Sequence, residues 1–253
     1  MEERGEKRRR FSPLTLYFSL RSIFTYLLIS LYVLVAGPIA LAIGVPFKNK
    51  TALYVPGRIG VWLALTCAGI RRRVRGLEHV PPNRAVVFCS NHESNVDPPV
   101  LFLALHSRLH VLFKQELTKL PILGRVMVAG GFVPVERDKR EASIASIDRA
   151  AGSIRAGNSF LIFPEGTRSR TAEMLPFKKG GFIMAIKAQA PIVPVYVSGG
   201  RAAMQKGSWF VRPVLVDVRV GKPVETAGMS IDQRDELIDV VRTRIEELRN
   251  NPQ

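Results

Sequence analysis

The sequence is poor in cysteine and in acidic residues. Its 253 residues include two cysteines, Cys67 and Cys89. Both lie in apolar surroundings without CxxC or metal-ligand spacing, which argues against a disulfide framework and favours reduced, structural thiols in a cytosolic redox setting. The 21 acidic residues are outnumbered by 37 lysines and arginines, so the formal net charge is +16. A charge of this sign and size predicts an anionic partner such as nucleic acid, lipid headgroups or a phosphorylated substrate.

Two further absences argue against a nucleic-acid site and against a metal site. Aromatic residues are not interleaved with basic patches downstream, as a stacking platform for single-stranded nucleic acid requires. We therefore expect no nucleic-acid partner. The segment "HESNVD" is not the HExxH pattern of a zinc enzyme, so we expect no metal.

The N-terminal region is apolar and is flanked by basic clusters. No charged residue occurs from Ser22 to Phe47, a run long enough to span a bilayer. The pair Gly37-Pro38 is expected to interrupt it, and a second apolar run follows from Leu53 to Ile70. Because basic residues lie on both sides of the pair, both ends prefer the cytoplasm. We predict that residues 1–70 anchor the chain as two helices buried partway in one leaflet or as a tight hairpin, rather than as a single span or a cleaved signal peptide.

The remainder, residues 71–253, reads as one α/β domain. Short apolar runs of strand length cover 85–90, 132–135, 160–163 and 192–197, and strands apolar on both faces belong to a sheet covered on both faces. Pro134 and Pro194 are uncomfortable inside such strands and suggest edge positions or bulges. The fold class is therefore α/β, with a central, mostly buried sheet flanked by helices, behind an N-terminal membrane-associated two-helix segment.

Helical signals separate and follow these strands. Apolar residues recur at helical spacing over 141–157 and 182–189. Near the C-terminus, Ser230 and Gln233 form a capping box. An apolar stripe follows it: Leu237, Val241, Ile245 and Leu248.

The stretch "NHESNVD", residues 91–97, leaves a buried strand and precedes a helix. Pro98 suits the first turn of that helix, and Asp97 before it is a good N-cap. A loop over 93–96 lets the His92 ring turn back onto the Asp97 carboxylate, which would fix the tautomer and leave the other nitrogen as a base. The alternative is a capping aspartate beside an ordinary loop histidine.

Other strand runs also end in polar, basic or glycine-rich residues. These are Glu136-Arg137, "PEGTRSR" at 164–170, and "SGGR" at 198–201. Sites of α/β sheets lie outside the carboxyl ends of the strands, so Arg137, Arg168 and Lys178 would converge near His92. Arginine suits phosphate because its planar fork offers paired donors, although each arginine taken singly fits a solvated surface charge as well.

These segments resemble the glycerolipid acyltransferases of the 1-acylglycerol-3-phosphate acyltransferase type. "NHESNVD" matches the NHxxxxD motif of that family, "GGFVPVERD" resembles its second block, "FPEGTRS" its third and "VPVYVSG" its fourth. "FKQEL", residues 113–117, resembles the lysine-containing segment between the first two blocks. The resemblance covers roughly residues 70 to 222, with the blocks in the order of the family.

The resemblance implies a reaction and a membrane setting. An acyl thioester of coenzyme A or of acyl carrier protein would donate its chain to the free sn-2 hydroxyl of 1-acylglycerol-3-phosphate, giving phosphatidic acid at the cytoplasmic face of the cell membrane. The thioester is a co-substrate, and no further cofactor is implied. Glycerol-3-phosphate or another lysolipid as acceptor, or a non-catalytic lipid-binding relative, are the alternatives.

The resemblance also implies roles for particular residues. His92 would be the base, and Asp97 would orient it and stabilise the imidazolium. No GxSxG elbow is present, which argues against an acyl-enzyme on serine. The family pattern places the following residues at the substrate: Lys114, Arg137, Glu165, Gly166, Thr167 and Arg168.

Overall fold

The computed structural model describes residues 13–105, 109–136, 140–171, 173–205 and 207–251. The strands are β1 Ile70–Arg75, β2 Val87–Ser90, β3 Leu109–Lys114, β4 Val133–Val135, β5 Ser159–Ile162, β6 Ile192–Ser198 and β7 Val214–Val220. The helices are α1 Pro13–Gly44, α2 Lys50–Cys67, α3 Asp97–Ala104, α4 Leu123–Ala129, α5 Arg140–Arg155, α6 Gly180–Ala188, α7 Gly200–Ala203 and α8 Arg234–Asn250. Short 3-10 turns cover Leu77–His79, Gln115–Lys119 and Ile231–Gln233.

The seven strands form one sheet in the order β1-β7-β6-β2-β5-β3-β4. From β6 to β4 the neighbouring strands pair in parallel, whereas β7 runs antiparallel to β6 and β1 runs parallel to β7. The carboxyl ends of β2, β3, β4, β5 and β6 therefore share one edge of the sheet. This edge is where an α/β sheet places its ligands.

The predicted α/β class is confirmed, and four of the strands fall where the apolar runs predicted them. The strands β1, β3 and β7 were missed. In β1 the run Arg71-Arg72-Arg73 reads as a charge cluster, and these side chains are indeed exposed beside β7 on the outer strand of the sheet. The predicted helices correspond to α5, α6 and α8. The Ser230–Gln233 capping box is present at the 3-10 turn that leads into α8.

The two strand prolines differ in their surroundings. Pro134 lies on the edge strand β4, as predicted. An edge position is wrong for Pro194, because β6 lies between β2 and β7. Its pairing with β7 is irregular, however, since Ile192 pairs with Val224 and Val195 with Val220, so two residues face three. The sheet tolerates a residue without an N–H at this bulge.

The core has two apolar layers, one on each face of the sheet. In β2, Phe88 points into the layer that also contains Leu101 of α3, whereas its neighbour Val87 points into the layer that contains Phe182 of α6. Both strand residues are fully buried. Alternate side chains of the central strands are therefore covered on both faces, which explains their continuous apolar runs.

Helices α1 and α2 pack as an antiparallel pair. Leu53 of α2 lies against Gly44 of α1, and the Tyr32 hydroxyl of α1 donates to the Pro56 carbonyl at 2.8 Å. The expected interruption at Gly37-Pro38 is wrong, because α1 runs unbroken from Pro13 to Gly44. Gly37 serves packing instead, since a Cβ there would overlap the Ile122 side chain at the start of α4.

Helix α1 lies along the surface of the α/β domain. Val211 N donates to Ser22 Oγ at 2.9 Å, and the Tyr26 hydroxyl donates to the Trp209 carbonyl at 2.7 Å. Together with the Gly37–Ile122 contact, these points extend over 15 residues, or about 22 Å of helix. Within the described residues, α1 is the one helix that is long and apolar enough to cross a membrane by length and composition.

The first 70 residues also contribute to the core of the domain. Tyr54 and Leu65 of α2 are buried in the same apolar layer as Phe88. The division of the chain at residue 70 stays a prediction.

Candidate active site

The first residue of the site, Asn91, directly follows β2. Asn91 is buried, and its Nδ2 donates to the Val197 carbonyl at 2.8 Å. Val197 N donates in return to Asn91 Oδ1 at 2.7 Å. The side chain thus pairs with β6 where the backbone of β2 leaves the sheet, and it directs the following residues out over the carboxyl edge. Sequence reasoning missed this role, although a polar residue directly after a buried strand was a visible signal.

We call residues 91–97 the site loop. Within it, His92 Nδ1 lies 3.1 Å from Asp97 Oδ2. The same oxygen accepts hydrogen bonds from the backbone N–H groups of Glu93 and Ser94, each at 2.7 Å. The Asp97 side chain is completely buried. One carboxylate oxygen therefore holds both the histidine ring and the backbone of the loop.

The predicted N-cap role of Asp97 is wrong. Asp97 is the first residue of α3, Val96 occupies the cap position, and no side-chain cap hydrogen bond is made there. The carboxylate turns back into the loop instead. There it contacts the His92 ring nitrogen and accepts from the backbone N–H groups of Glu93 and Ser94. Pro98 lies in the first turn of α3, as predicted.

The imidazole is held on its flat side as well. The Phe163 ring stacks on it at a centroid distance of 4.2 Å and an interplanar angle of 28°. The His92 side chain is 15% exposed, so solvent or a ligand can reach it. With Asp97 accepting at Nδ1, the proton is assigned to Nδ1, and Nε2 keeps a lone pair. This is the tautomer that a general base requires.

The strand end of β6 supports the site loop from behind. Gly200, the first residue of α7, lies against the Asp97 carboxylate so closely that a Cβ would overlap Oδ1. Ser94 Oγ donates to the Met204 carbonyl at 2.8 Å. The glycine-rich end of β6 therefore provides the room that the buried carboxylate needs. Sequence reasoning noticed this end but did not connect it with Asp97.

We call residues 165–169 the site turn, which follows β5. Glu165 Oε1 accepts from His92 N at 2.8 Å, and Ser169 N donates to the His92 carbonyl at 2.9 Å. Both backbone polar groups of His92 are thus bonded to the two ends of the turn. Gly166, Thr167 and Arg168 lie between these two attachments, next to the histidine.

Glu165 was predicted to bind substrate. In the structure it is 3% exposed, and its second oxygen accepts from Leu175 N at 2.9 Å. Burial raises the pKa of this carboxyl, and the backbone N–H bonds from Leu175 and His92 lower it. Both oxygens hold backbone, so the visible contacts of Glu165 fix the turn on His92. A substrate contact of this residue stays a prediction.

The site loop and the region after the site turn are also joined by Arg201 of α7. Its guanidinium lies 3.8 Å from Glu93 Oε1, and it donates to the Thr171 carbonyl. Burial raises the pKa of the Glu93 carboxyl, and the charge of Arg201 opposes this shift. We expected residues 93–96 to be a plain connection. The contacts of Glu93 and Ser94 show that they hold the loop in place.

The other predicted substrate residues have different surroundings. Gly166 has a φ of +69°, a conformation that favours glycine, while Thr167 is exposed and Arg168 is half-buried. Lys114 lies at the end of β3, and its Nζ is 2.8 Å from Glu116 Oε1 in an exposed ion pair. Arg137 lies outside the described residues. The structure thus brings the site turn to His92, and it pairs Lys114 with an acidic residue of the 3-10 turn that follows β3.

A cysteine nucleophile is excluded at this edge. Cys89 lies in β2 and is fully buried. Burial raises the pKa of its thiol far above the usual range, and the nearby Glu165 raises it further. A thiol that does not ionise is inert as a nucleophile.

A cavity of about 560 Å³ lies at the opposite edge of the sheet, between the end of β7 and α8. Two of the arginines that line it, Arg75 and Arg219, pair with Asp217 at 2.9 and 2.8 Å. The Arg75–Asp217 contact joins β1 to β7, and the Arg219–Asp217 contact lies within β7, so both serve the fold.

The fold and the site define an α/β protein with a His–Asp pair and a basic turn at the carboxyl edge of a mostly parallel sheet. A family model described as Acyltransferase matches residues 71–198, just over half of the chain. The chain belongs to this acyltransferase family, as the motifs predicted.

Relatives and solved structures agree with this membership. The chain is 32% identical over 190 residues to the 1-acyl-sn-glycerol-3-phosphate acyltransferase of Limnanthes douglasii, covering 74% of this chain and 65% of that protein. It is 34% identical over 176 residues to 1-acyl-sn-glycerol-3-phosphate acyltransferase alpha of Mus musculus, covering 69% and 62%. The chain thus spans a little under two thirds of the length of these relatives.

A crystal structure shares the fold over nearly the whole chain. The 1-acyl-sn-glycerophosphate (LPA) acyltransferase PlsC from Thermotoga maritima superposes with a TM-score of 0.78 at 25% identity, covering 94% of this chain and 98% of that one. Because 94% of this chain is covered, the similarity includes most of the N-terminal helices.

Proposed function

We propose that this protein transfers a fatty acyl chain from an acyl thioester to the sn-2 hydroxyl of 1-acylglycerol-3-phosphate, giving phosphatidic acid. The observation that carries the proposal is the His92–Asp97 contact of 3.1 Å in a loop fastened to the 165–169 turn. The names of the relatives and of the PlsC structure support the same acceptor.

An alcohol is a poor nucleophile, and His92 would act as the general base that removes its proton. His92 Nε2 takes the proton of the sn-2 hydroxyl while the oxygen attacks the thioester carbonyl. The buried Asp97 carboxylate, held by the Glu93 and Ser94 N–H groups, stabilises the imidazolium that forms. Because Asp97 and Phe163 fix the ring, little reorganisation is needed at the moment of attack.

The second half of the reaction returns the proton. The tetrahedral intermediate collapses, its C–S bond breaks, and the sulfur leaves. A thiol has a pKa of about 8.5, so it departs as a thiolate that takes the proton back from His92. The acyl chain passes directly to the acceptor, without a covalent acyl-enzyme. The carrier thiol belongs to coenzyme A or to acyl carrier protein, which acts as a co-substrate.

The acceptor phosphate belongs at the site turn in this proposal. Arg168 lies between the two attachments of that turn to His92, and its fork suits a phosphate. A phosphate held there would present the free sn-2 hydroxyl toward His92. Arg137 and Lys114 stay predicted contributors from neighbouring strand ends.

A membrane setting completes the proposal. The outer face of α1 exposes large apolar side chains, among them Leu16, Leu20, Leu27, Leu31 and Leu34. Since α1 lies along the domain for about 22 Å, this face suits insertion into one leaflet better than a span. The substrate and product are lipids, so the site would work at the bilayer surface, on its cytoplasmic side.

The test of the base is His92→Ala in the purified, full-length protein. We expect acyl transfer to fall by about 10²- to 10⁴-fold, because the general base is lost. The matched control is His79→Ala at the opposite edge of the sheet, where the ring contacts the Val220 carbonyl. Turnover of the His92 variant near the wild-type rate would refute the role of the pair.

The test of the acceptor uses the wild-type protein with a panel of lysolipids and glycerol-3-phosphate, against acyl-CoA and acyl carrier protein thioesters. We expect product mass to report phosphatidic acid from 1-acylglycerol-3-phosphate. A preference for glycerol-3-phosphate or another lysolipid would keep the chemistry but replace the acceptor. Binding of lysolipid without turnover would favour a non-catalytic protein.

A further inference from the structure

Lys178, just before α6, lies across the site turn. Its N–H donates to the Pro164 carbonyl at 2.8 Å, which holds its backbone beside the start of the turn. Its side chain passes over Gly166, so a Cβ on that glycine would lie 2.9 Å from Lys178 Cε and 3.1 Å from Nζ. The positive φ of Gly166 favours glycine in the turn, and the lysine side chain lies in close contact with this residue.

This position brings the ammonium to the turn that holds His92. Gly166 follows Glu165, whose carboxylate binds His92 N, and precedes Ser169, whose N–H binds the His92 carbonyl. The Lys178 ammonium therefore lies over the part of the turn that also carries Arg168. Lys178 thus lies against the same short backbone segment to which Arg168 belongs, beside the proposed base.

The neighbouring lysine shows what an ordinary structural lysine does here. Lys179 Nζ lies 2.9 Å from Asp235 Oδ1 and forms an ion pair with the start of α8. Among the described residues, no carboxylate lies within ion-pair distance of the Lys178 ammonium, and the side chain is exposed. Lys114, the lysine that the family pattern suggests, is paired with Glu116.

We propose that Lys178 binds the phosphate of the acceptor together with Arg168, so that the site selects a phosphate monoester dianion. The inference rests on the proposed function. It assigns to Lys178 the discrimination between a dianionic and a monoanionic acceptor. A phosphate monoester carries about −1.5 to −2 charges at pH 7, because its second pKa is about 6. One arginine balances one of these charges, and the ammonium across Gly166 balances the other.

The experiment compares Lys178→Ala, Lys178→Arg, Arg168→Ala and the matched control Lys179→Ala in the full-length protein. Two acceptors are used, 1-acylglycerol-3-phosphate and its methyl phosphodiester, which carries one charge at every pH studied. The readouts are kcat, the KM of acceptor and donor, and direct binding of each lysolipid in detergent micelles. The pH is varied from 5 to 8 to pass through the second phosphate pKa of about 6.

For Lys178→Ala we expect an acceptor KM and Kd raised about tenfold or more for the monoester, since a charge-assisted contact is lost. The kcat, the donor KM and the diester affinity should stay near wild-type values. Wild-type affinity for the monoester should rise with pH through about 6, and this rise should be lost in Lys178→Ala and restored in Lys178→Arg. Arg168→Ala should move the same constants, and Lys179→Ala should move none.

Three results would overturn the inference: equal behaviour of Lys178→Ala and Lys179→Ala, an effect on the donor KM alone, or an equal loss for monoester and diester. Failure of the proposed function would look different. The wild type would then bind the monoester through Lys178 without any acyl transfer, and the binding measurements would still decide the role of Lys178.

Discussion

Asp97 Oδ2 accepts from three N–H groups within one loop, so the carboxylate that holds the His92 ring also gives the loop its shape. Its other oxygen is buried and faces the backbone of Gly200. The absence of a side chain at Gly200 is therefore as necessary to the pair as the carboxylate itself. Gly200 has no chemical role of its own, but the position of the Asp97 carboxylate depends on it.

Gly200→Ala tests this dependence. The new Cβ would push Asp97 away from His92, so we expect kcat to fall at least about tenfold, in line with misplacement of a catalytic group. The control is Gly152→Ala in α5, where a Cβ meets only the Arg155 guanidinium at 3.9 Å. That change should leave kcat unaltered and stabilise the fold by about 0.5–1 kcal/mol, measured by urea unfolding. A folded Gly200 variant with normal kcat would contradict the expectation.

At the scale of elements, the site consists of two segments that follow neighbouring strands and are hydrogen-bonded to each other. The site loop follows β2 and the site turn follows β5, and these strands are neighbours in the sheet. Glu165 and Ser169 bind the two backbone polar groups of His92, so the turn cannot move without the histidine. The site turn and His92 are therefore positioned as one unit.

Glu165→Gln tests this connection between the site turn and His92. An amide keeps one acceptor oxygen, so its NH₂ group would face the N–H of either His92 or Leu175. We expect the free energy of unfolding to drop by about 1–3 kcal/mol and kcat to fall with it. Glu173→Gln, an exposed change on the same segment, is the control. Equal urea unfolding curves and equal kcat for the two variants would show that the connection is not needed.

At the scale of the whole molecule, α1 packs on the α/β domain along one side and exposes an apolar face on the other. It contacts the loop at 209–211 near one end and the start of α4 near the other. Its outer face carries leucines, and the chain as a whole carries a net charge of +16. In the proposed membrane setting, insertion of this apolar face and attraction of the basic chain to anionic headgroups would act together.

The double change Leu27→Glu and Leu31→Glu tests the orientation of α1. Both side chains are about two thirds exposed, at 66% and 60%, and one helical turn apart. Each leucine buried in lipid contributes about 1.5–3 kcal/mol, so we expect at least a tenfold loss of vesicle binding in co-sedimentation at high salt. Val240→Glu on the exposed side of α8 should bind as the wild type does. Unchanged sedimentation of the double variant would place the membrane contact elsewhere.

The sequence predicted those parts of the fold that depend on local pattern. Continuous apolar runs indicated the buried parallel strands, and the Ser230–Gln233 capping box indicated the start of the last helical segment. The strand β1 was missed because its arginines face solvent at the sheet edge, where no apolar signal is required. The helix α1 continues through Gly37-Pro38. Its packing against α2 and α4 outweighs the one backbone hydrogen bond that the proline removes.

By itself, the sequence determined the family, the α/β class and the residues near the carboxyl edge of the sheet, since the order of the motifs and the polar residues after each strand can be read along the chain. Only the tertiary structure decided what those residues do to one another. In the structure, Asp97 binds the backbone of its own loop instead of capping α3, and Glu165 binds the backbone N–H of His92. The Lys178 side chain lies against Gly166. The physical reason is that hydrogen bonds and close contacts between distant segments depend on three-dimensional distance, which residue order does not contain.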